Sequence, residues 1–314
     1  MAYTNTDTNM TTSSALSAGM QTYYNRELLQ TFEPNLVHLQ FGDEHRMPPH
    51  SGLVMNMRKL IPLETNTKAL SEGDPGESVM LAETEVTVQL QQYGEYARCT
   101  DKLDLTHLDM DIMRRTKLFG DAGARSIDAV VREELAKCAN VIYAGGKASR
   151  AELTAADKLT SRELRKAVKT LKKNHAQTFG GYFVAIIGPD TMYDLQEDEA
   201  FVKVSQYQDK ENIYTGEVGR LFGVRLVETT EAKIFEGAGA SGADVASVIV
   251  LGQYAYGVTS LKGAKPRVIV KPAGSAGTAD PLDQISTVGW KMDGFGAKLL
   301  QPEYAVRIEC GFSA

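Results

Sequence analysis

Cysteine is scarce in this chain of 314 residues. Cys99, Cys138 and Cys310 lie far apart and form no CxxC pair, so neither a disulfide framework nor a cysteine-held zinc site is encoded, and a reducing cytoplasm fits. Long apolar runs are also missing. The longest, near 183–187 and 248–251, fall far short of the roughly 20 residues a membrane helix needs. The first twenty residues contain no Lys or Arg and no hydrophobic stretch, which is unlike a secretory signal. A net charge of −6 argues against a nucleic-acid reader that works through overall positive charge, while a local basic face stays open. HExxH and GxSxG are absent. What is present, 43% hydrophobic and 24% charged residues, describes an ordinary soluble protein with enough chain for one elaborate domain or two.

Several segments imitate catalytic or ligand motifs without their context. Residues 237–242, GAGASG, match GxGxxG after a candidate strand at 234–236. A dinucleotide site needs a helix opening at the last glycine and an acidic residue about 20 positions on. Here a strand-like run follows at 245–251, and 252–270 contains no Asp or Glu, so a flexible surface loop is expected; a nucleotide-dependent enzyme using this loop is the rival reading. Gly145-Gly146-Lys147 lacks the earlier glycine and the following Ser or Thr of a phosphate loop. His38, His45, Arg46 and His50 fall in a stretch, 37–49, that reads as an irregular, mildly basic loop without metal-ligand spacing. Asp101, Asp104, Asp109 and Asp111 surround the start of a helix, where acids favourably meet the positive helix end. No catalytic residue, cofactor or metal is expected.

The most informative segment is 52–93. Leu53, Met55, Met57, Ile61 and Leu63 alternate with Asn56 and Arg58, and Val86, Val88 and Leu90 alternate with Glu85, Thr87, Gln89 and Gln91, which predicts a β-hairpin. Its tip carries Gly73-Asp74-Pro75-Gly76, with Glu64, Glu72, Asp74, Glu77 and Glu83 against a single Lys68. A two-stranded ribbon buries too little apolar surface to stand alone, so its apolar face must lie on this chain's own body or on a neighbouring copy.

Around it, 1–18 reads as a flexible polar arm and 20–32 as an amphipathic helix stopped by Pro34. Residues 105–143 predict a helix of about 55 Å, at roughly 1.5 Å per residue, with Ile127, Val131, Leu135, Cys138 and Ile142 on one face, possible bends at Gly120 and Gly123, and an end at Gly145-Gly146. Residues 160–174 predict a second helix, with Leu164, Val168 and Leu171 inward and Arg162, Arg165, Lys166, Lys169, Lys172 and Lys173 outward. That basic stripe is either a solvated face or a contact for an acidic surface or phosphates. Beyond 181 come short strands at 182–187, 224–228, 234–236, 245–251 and 267–270, with helix signals at 189–195 and 199–204, which is an α+β pattern. The chain closes with Tyr304, Val306, Ile308, Cys310 and Phe312 alternating against Arg307 and Glu309, which predicts a strand with one buried face.

Four blocks then occur in a specific order: LSEG at 70–73 with Pro75, QYG at 92–94 with Thr100-Asp101, GEVGR at 216–220 with GVR at 223–225, and DPLDQISTVGWK at 280–291 around the only tryptophan. Together they resemble the major capsid proteins of tailed phages typified by coliphage N-four. The resemblance implies the Hong Kong 97-like capsid fold and a subunit that self-assembles into an icosahedral head around DNA. It implies an N-terminal arm with a short helix (1–50), an extended hairpin loop (51–93) and a peripheral domain with a long spine helix (94–180). An axial domain (181–271) and a C-terminal return to the peripheral domain (272–314) would follow. On this reading the partners are other copies in hexamers and pentamers, a portal, separate scaffold or cement proteins, and packaged DNA held non-specifically on the inner face, with no membrane, in a virion assembled in the bacterial cytoplasm. A cellular nanocompartment shell of the same fold is the structural alternative. The candidate intersubunit contacts are Glu72, Asp74 and Glu77 at the hairpin tip against Arg114, Arg115, Arg165 and Lys169 of a neighbour.

Overall fold

The computed structural model describes residues 36–48, 50–60, 67, 69, 73, 78–81, 83–102, 112–198, 220–261, 265–275 and 280–313. The first half of the chain runs β1 (Asp43–Met47), β2 (Val54–Leu60), β3 (Glu83–Gln89), β4 (Gln91–Thr100), α1 (Ile112–Leu135), β5 (Val141–Tyr143) and α2 (Ser161–Lys173). The second half runs β6 (Phe183–Ile187), α3 (Pro189–Gln196), β7 (Arg220–Leu221), β8 (Val224–Glu228), β9 (Ile234–Phe235), β10 (Val245–Leu251), β11 (Tyr256–Leu261), β12 (Arg267–Lys271), β13 (Ile285–Leu299) and β14 (Ala305–Cys310).

The 15-residue β13 organises a five-stranded sheet because it bends once. Its first half pairs with β12 on one side and β4 on the other; its second half pairs with β11, to which β1 adds in parallel. The register shifts between Met292 and Phe295, and Gly294 there has φ +69, a left-handed conformation that glycine adopts without steric cost. A seven-stranded sheet of order β5-β14-β10-β6-β8-β7, with β9 on β10, forms the second layer. Its central strands are buried on both faces. Phe183, Ala185 and Ile187 point with Val248, Val250, Val306 and Ile308 toward α2 and α3, while Val184, Ile186, Ile249 and Leu251 join α1 and the five-stranded sheet. Ala124, Ile127, Val131 and Leu135 of α1, at helical spacing, fill that second core with Trp290, Phe295 and Tyr256.

A buried node ties residues 36–42, the strap that leads into β1, to α1. Asp128 accepts hydrogen bonds from the His38 amide (2.7 Å) and the Leu39 amide (3.3 Å), and its second oxygen lies 2.5 Å from His38 Nδ1. The Tyr256 hydroxyl donates to the His38 carbonyl, and burial, reinforced by the Asp128 charge, pushes its pKa well up.

Several expectations need correction. The 37–49 stretch is not an irregular loop: it contains β1, and His38 is a buried partner of Asp128. The helix ends at Leu135, so its 24 described residues span about 36 Å, and Val141–Tyr143 is a strand. The turn wins because Cys138 packs in the core while Asn140 donates to the Pro302 and Ala305 carbonyls, setting up parallel pairing of β5 with β14. Gly145 and Gly146 follow that strand rather than the helix. Strand β14 is buried on both faces, not one: Val306 and Ile308 lie in the core with α2, and Arg307 and Glu309 are buried on the opposite face. Arg307 and Glu309 tolerate this by pairing, with Glu309 also held by Arg150 through contacts of 2.6 and 2.7 Å.

The sheets also cut across the segment bounds. Strand β5 and α2 precede 181 yet belong with the seven-stranded sheet, β11 and β12 precede 272 yet pair with β13, and β14 joins the seven-stranded sheet. The predicted helices at 20–32 and 199–204, and Asp104, Asp109 and Asp111, lie outside the described residues.

Candidate assembly surfaces

The hairpin of β2 and β3 pairs from Val54↔Gln89 to Leu60↔Glu83 as a sheet of its own. Its root rests on the chain's own body. Met57, Val88 and Leu90 are buried, and the body makes room for them with glycine. A Cβ on Gly257 of β11 would lie 2.9 Å from Met57 Sδ, and one on Gly296 of β13 would lie 2.9 Å from Val88 Cγ1 and from the Gln89 carbonyl oxygen. Lys59 then donates to Glu303 at 2.8 Å, and this hydrogen bond holds the Glu303 carboxyl below its ordinary pKa. Both possible partners for the hairpin's apolar face had been open, and the root half is settled in favour of this body.

Past the root, three of the described residues are bare. Val79, Met80 and Leu81 are 63%, 89% and 74% exposed, and they follow one another in sequence. Single exposed apolar residues are common, but three consecutive large ones mark a contact surface.

The expected contact residues are only partly brought into view. Glu72, Asp74 and Glu77 lie outside the described residues, although Gly73 between them has φ +86, as a turn there requires. Arg114 and Arg115 fall in the first turn of α1, with side chains outside the described set. Arg165 and Lys169 are exposed on α2 and, with Lys172, Lys173 and Val168, line a cavity of about 430 Å³. Arg165 sits 5.0 Å over the Phe222 ring, and within the stripe Lys166 pairs with Glu163 at 3.5 Å.

One surface went unread in the sequence. A trench of about 600 Å³ crosses the five-stranded sheet along β4, β13 and β12, lined among others by Tyr96, Arg98, Ile269, Lys271 and Gly289. The alternation of Arg267, Ile269 and Lys271 with Val268 and Val270 carried a signal for it, but only the pairing with β13 and β4 assembles it.

The GAGASG loop offers no phosphate cradle. Four of its six amides are engaged within the protein: Gly237 with Asp244 (2.7 Å), Gly239 with the Ala243 carbonyl (2.8 Å), Ala240 with the Leu153 carbonyl (2.7 Å) and Gly242 with the Gly239 carbonyl (3.3 Å). It leads into β10 and not into a helix, and these bonds pin it more firmly than a flexible loop.

Among curated proteins nothing matches the chain in sequence. Solved structures do match its fold. The capsid of Ralstonia phage GP4 superposes with a TM-score of 0.68 at 14% identity, covering 100% of this chain and 98% of that one. The cyanophage Pam1 capsid gives 0.66 at 16%, covering 100% and 98%, and the capsid of cyanophage P-SCSP1u gives 0.67 at 16%, covering 88% and 89%. The family model described as phage capsid protein matches residues 83–308, from the returning hairpin strand through most of β14. The chain therefore belongs to the phage capsid protein family, as a major capsid protein that forms the shell of a phage head.

Proposed function

We propose that the hairpin is the arm by which each subunit grips the next in an icosahedral shell of the Hong Kong 97-like, N-four-related type. The observation that carries this is the contrast along one hairpin: a root clamped by Met57, Val88 and Lys59–Glu303, and a continuation whose Val79, Met80 and Leu81 are largely exposed. Clamping the root fixes the direction of the arm, so the ordering entropy of the contact is largely met before a neighbour arrives. Copies arranged in hexamers and pentamers sum many modest contacts into a stable shell. Catalysis has no part in this function. Packaged DNA meets the inner face non-specifically, and portal, scaffold or cement proteins are separate chains assembled with it in the host cytoplasm.

The acidic tip meets basic side chains of the neighbour, with Arg114, Arg115 and the α2 stripe around Arg165 and Lys169 as its partners. Opposite charges steer encounter and fix register more than they add affinity. Electron microscopy of the expressed chain should show shells, capsomers or tubes. The double variant Glu72→Lys/Asp74→Lys should remain soluble and folded but assemble poorly, and shells of normal yield from it would refute the charge pairing.

A further inference from the structure

We infer that the trench across β4, β13 and β12 is the seat for residues 79–81 of a second copy of this chain, an assignment that rests on the shell reading above.

The register builds the trench. Val288, Trp290 and Met292 of β13 are buried, two of them in the core shared with α1, so the intervening Thr287, Gly289 and Lys291 face the other way. On that outward face Ile269 of β12 stands opposite Gly289, and Gly289 stands opposite Tyr96 of β4. The middle position has no side chain, so two large apolar groups flank a floor of backbone. Tyr96 is 64% exposed and Ile269 37%, which leaves their walls open to a partner.

The next rung is basic. Lys271, Thr287 and Arg98 align across the same three strands. Arg98 stacks 5.6 Å over the Tyr96 ring and donates to its hydroxyl at 3.3 Å, and among the described residues neither Arg98 nor Lys271 makes an ion pair with a carboxylate. Glu95 and Asp280 also line the trench, Asp280 engaged by the Ile285 amide at 2.7 Å, so the cationic border is the Arg98–Lys271 rung beside the Tyr96–Ile269 slot, and that end fits a short apolar segment with acidic flanks. Among the described residues one such segment lies in the open: Val79-Met80-Leu81, with Glu77 before it and Glu83 after it in sequence. It does not occupy its own trench, since all three side chains are exposed. The occupant is therefore the same segment of another copy, held by apolar burial in the slot and by attraction between its acids and the basic rung.

Cysteine pairing tests this directly, because Cys99, Cys138 and Cys310 are buried and do not compete. Met80→Cys and Ile269→Cys chains would be prepared separately, co-assembled with an excess of native chain and oxidised. A disulfide dimer joining positions 80 and 269, absent from shells carrying either variant alone, is the expected result. Shells of normal form without that link overturn the assignment while leaving the shell reading intact, whereas native chain that forms no assembly at all overturns the shell reading itself. As an independent check, Ile269→Asp should cut shell yield without shifting thermal unfolding of the unassembled subunit; unchanged yield also overturns the assignment.

Discussion

Replacing Asp128 tests whether the buried node between α1 and the N-terminal strap holds that strap in place. Asp128 and His38 have almost no solvent contact, and one carboxylate serves two backbone amides and one imidazole nitrogen. Hydrogen bonds to a charged acceptor contribute about 1.5–3 kcal/mol each, and breaking a buried pair by removing one partner costs about 3–5 kcal/mol because the other is left without compensation. Asp128→Ala should therefore lose about 4 kcal/mol, a large share of the stability of an ordinary domain. Asp128→Asn keeps one oxygen for the two amides and loses only the ring contact and the charge, so its cost should be about 1–2 kcal/mol. Urea unfolding of the unassembled subunit measures both. Limited proteolysis would add a local readout, since release of the strap exposes β1, which is otherwise paired to β11. An Asp128→Ala subunit within about 1 kcal/mol of native, with the strap still protected, would refute the reasoning.

Two further perturbations separate the arm from the body. Gly296→Ala would bring a Cβ to 2.9 Å from the Gln89 carbonyl oxygen and Val88 Cγ1, a crowding worth about 1–3 kcal/mol, and hydrogen exchange should show faster opening confined to the hairpin; native protection there would count against the glycine socket. At the C-terminus, Asp194 accepts from the Ser313 amide (2.9 Å) and hydroxyl (2.6 Å) and pairs with Lys158 (2.9 Å). Burial alone would raise the Asp194 pKa, but these partners outweigh it and hold it below the ordinary 3.8. A carboxyl depressed in the folded state contributes fully above its unfolded value and loses that contribution as pH falls through the folded one. Carboxypeptidase trimming of the last residues should therefore be slow at neutral pH and accelerate only below about pH 4. Equal trimming rates across that range would sink this account.

Local period explains what could be read early. The hairpin's alternation gave both strands, and helical spacing of Leu164, Val168 and Leu171 gave α2 with its basic outward face, because each pattern repeats within a few residues of itself. The same reasoning overextended α1 through Cys138 and Ile142, whose spacing suits a helix, but the Ile142 backbone pairs with β14 and the Cys138 thiol donates to the Ala305 carbonyl, both more than 160 positions further on. It also missed β13 as the strand that β4, β11 and β12 share, since a central strand is defined by partners that no local window contains.

The order of four short blocks was enough to reach a capsid subunit, and alternation was enough to find its arm. Where that arm rests, which residues it leaves bare and what trench faces outward were decided only by tertiary structure. Met57 and Val88 are buried because Gly257 and Gly296 come to meet them from distant strands, while Val79, Met80 and Leu81 stay exposed because nothing among the described residues does the same for them. Burial is a property of what arrives from elsewhere in the chain, and periodicity shows only which face is ready for it.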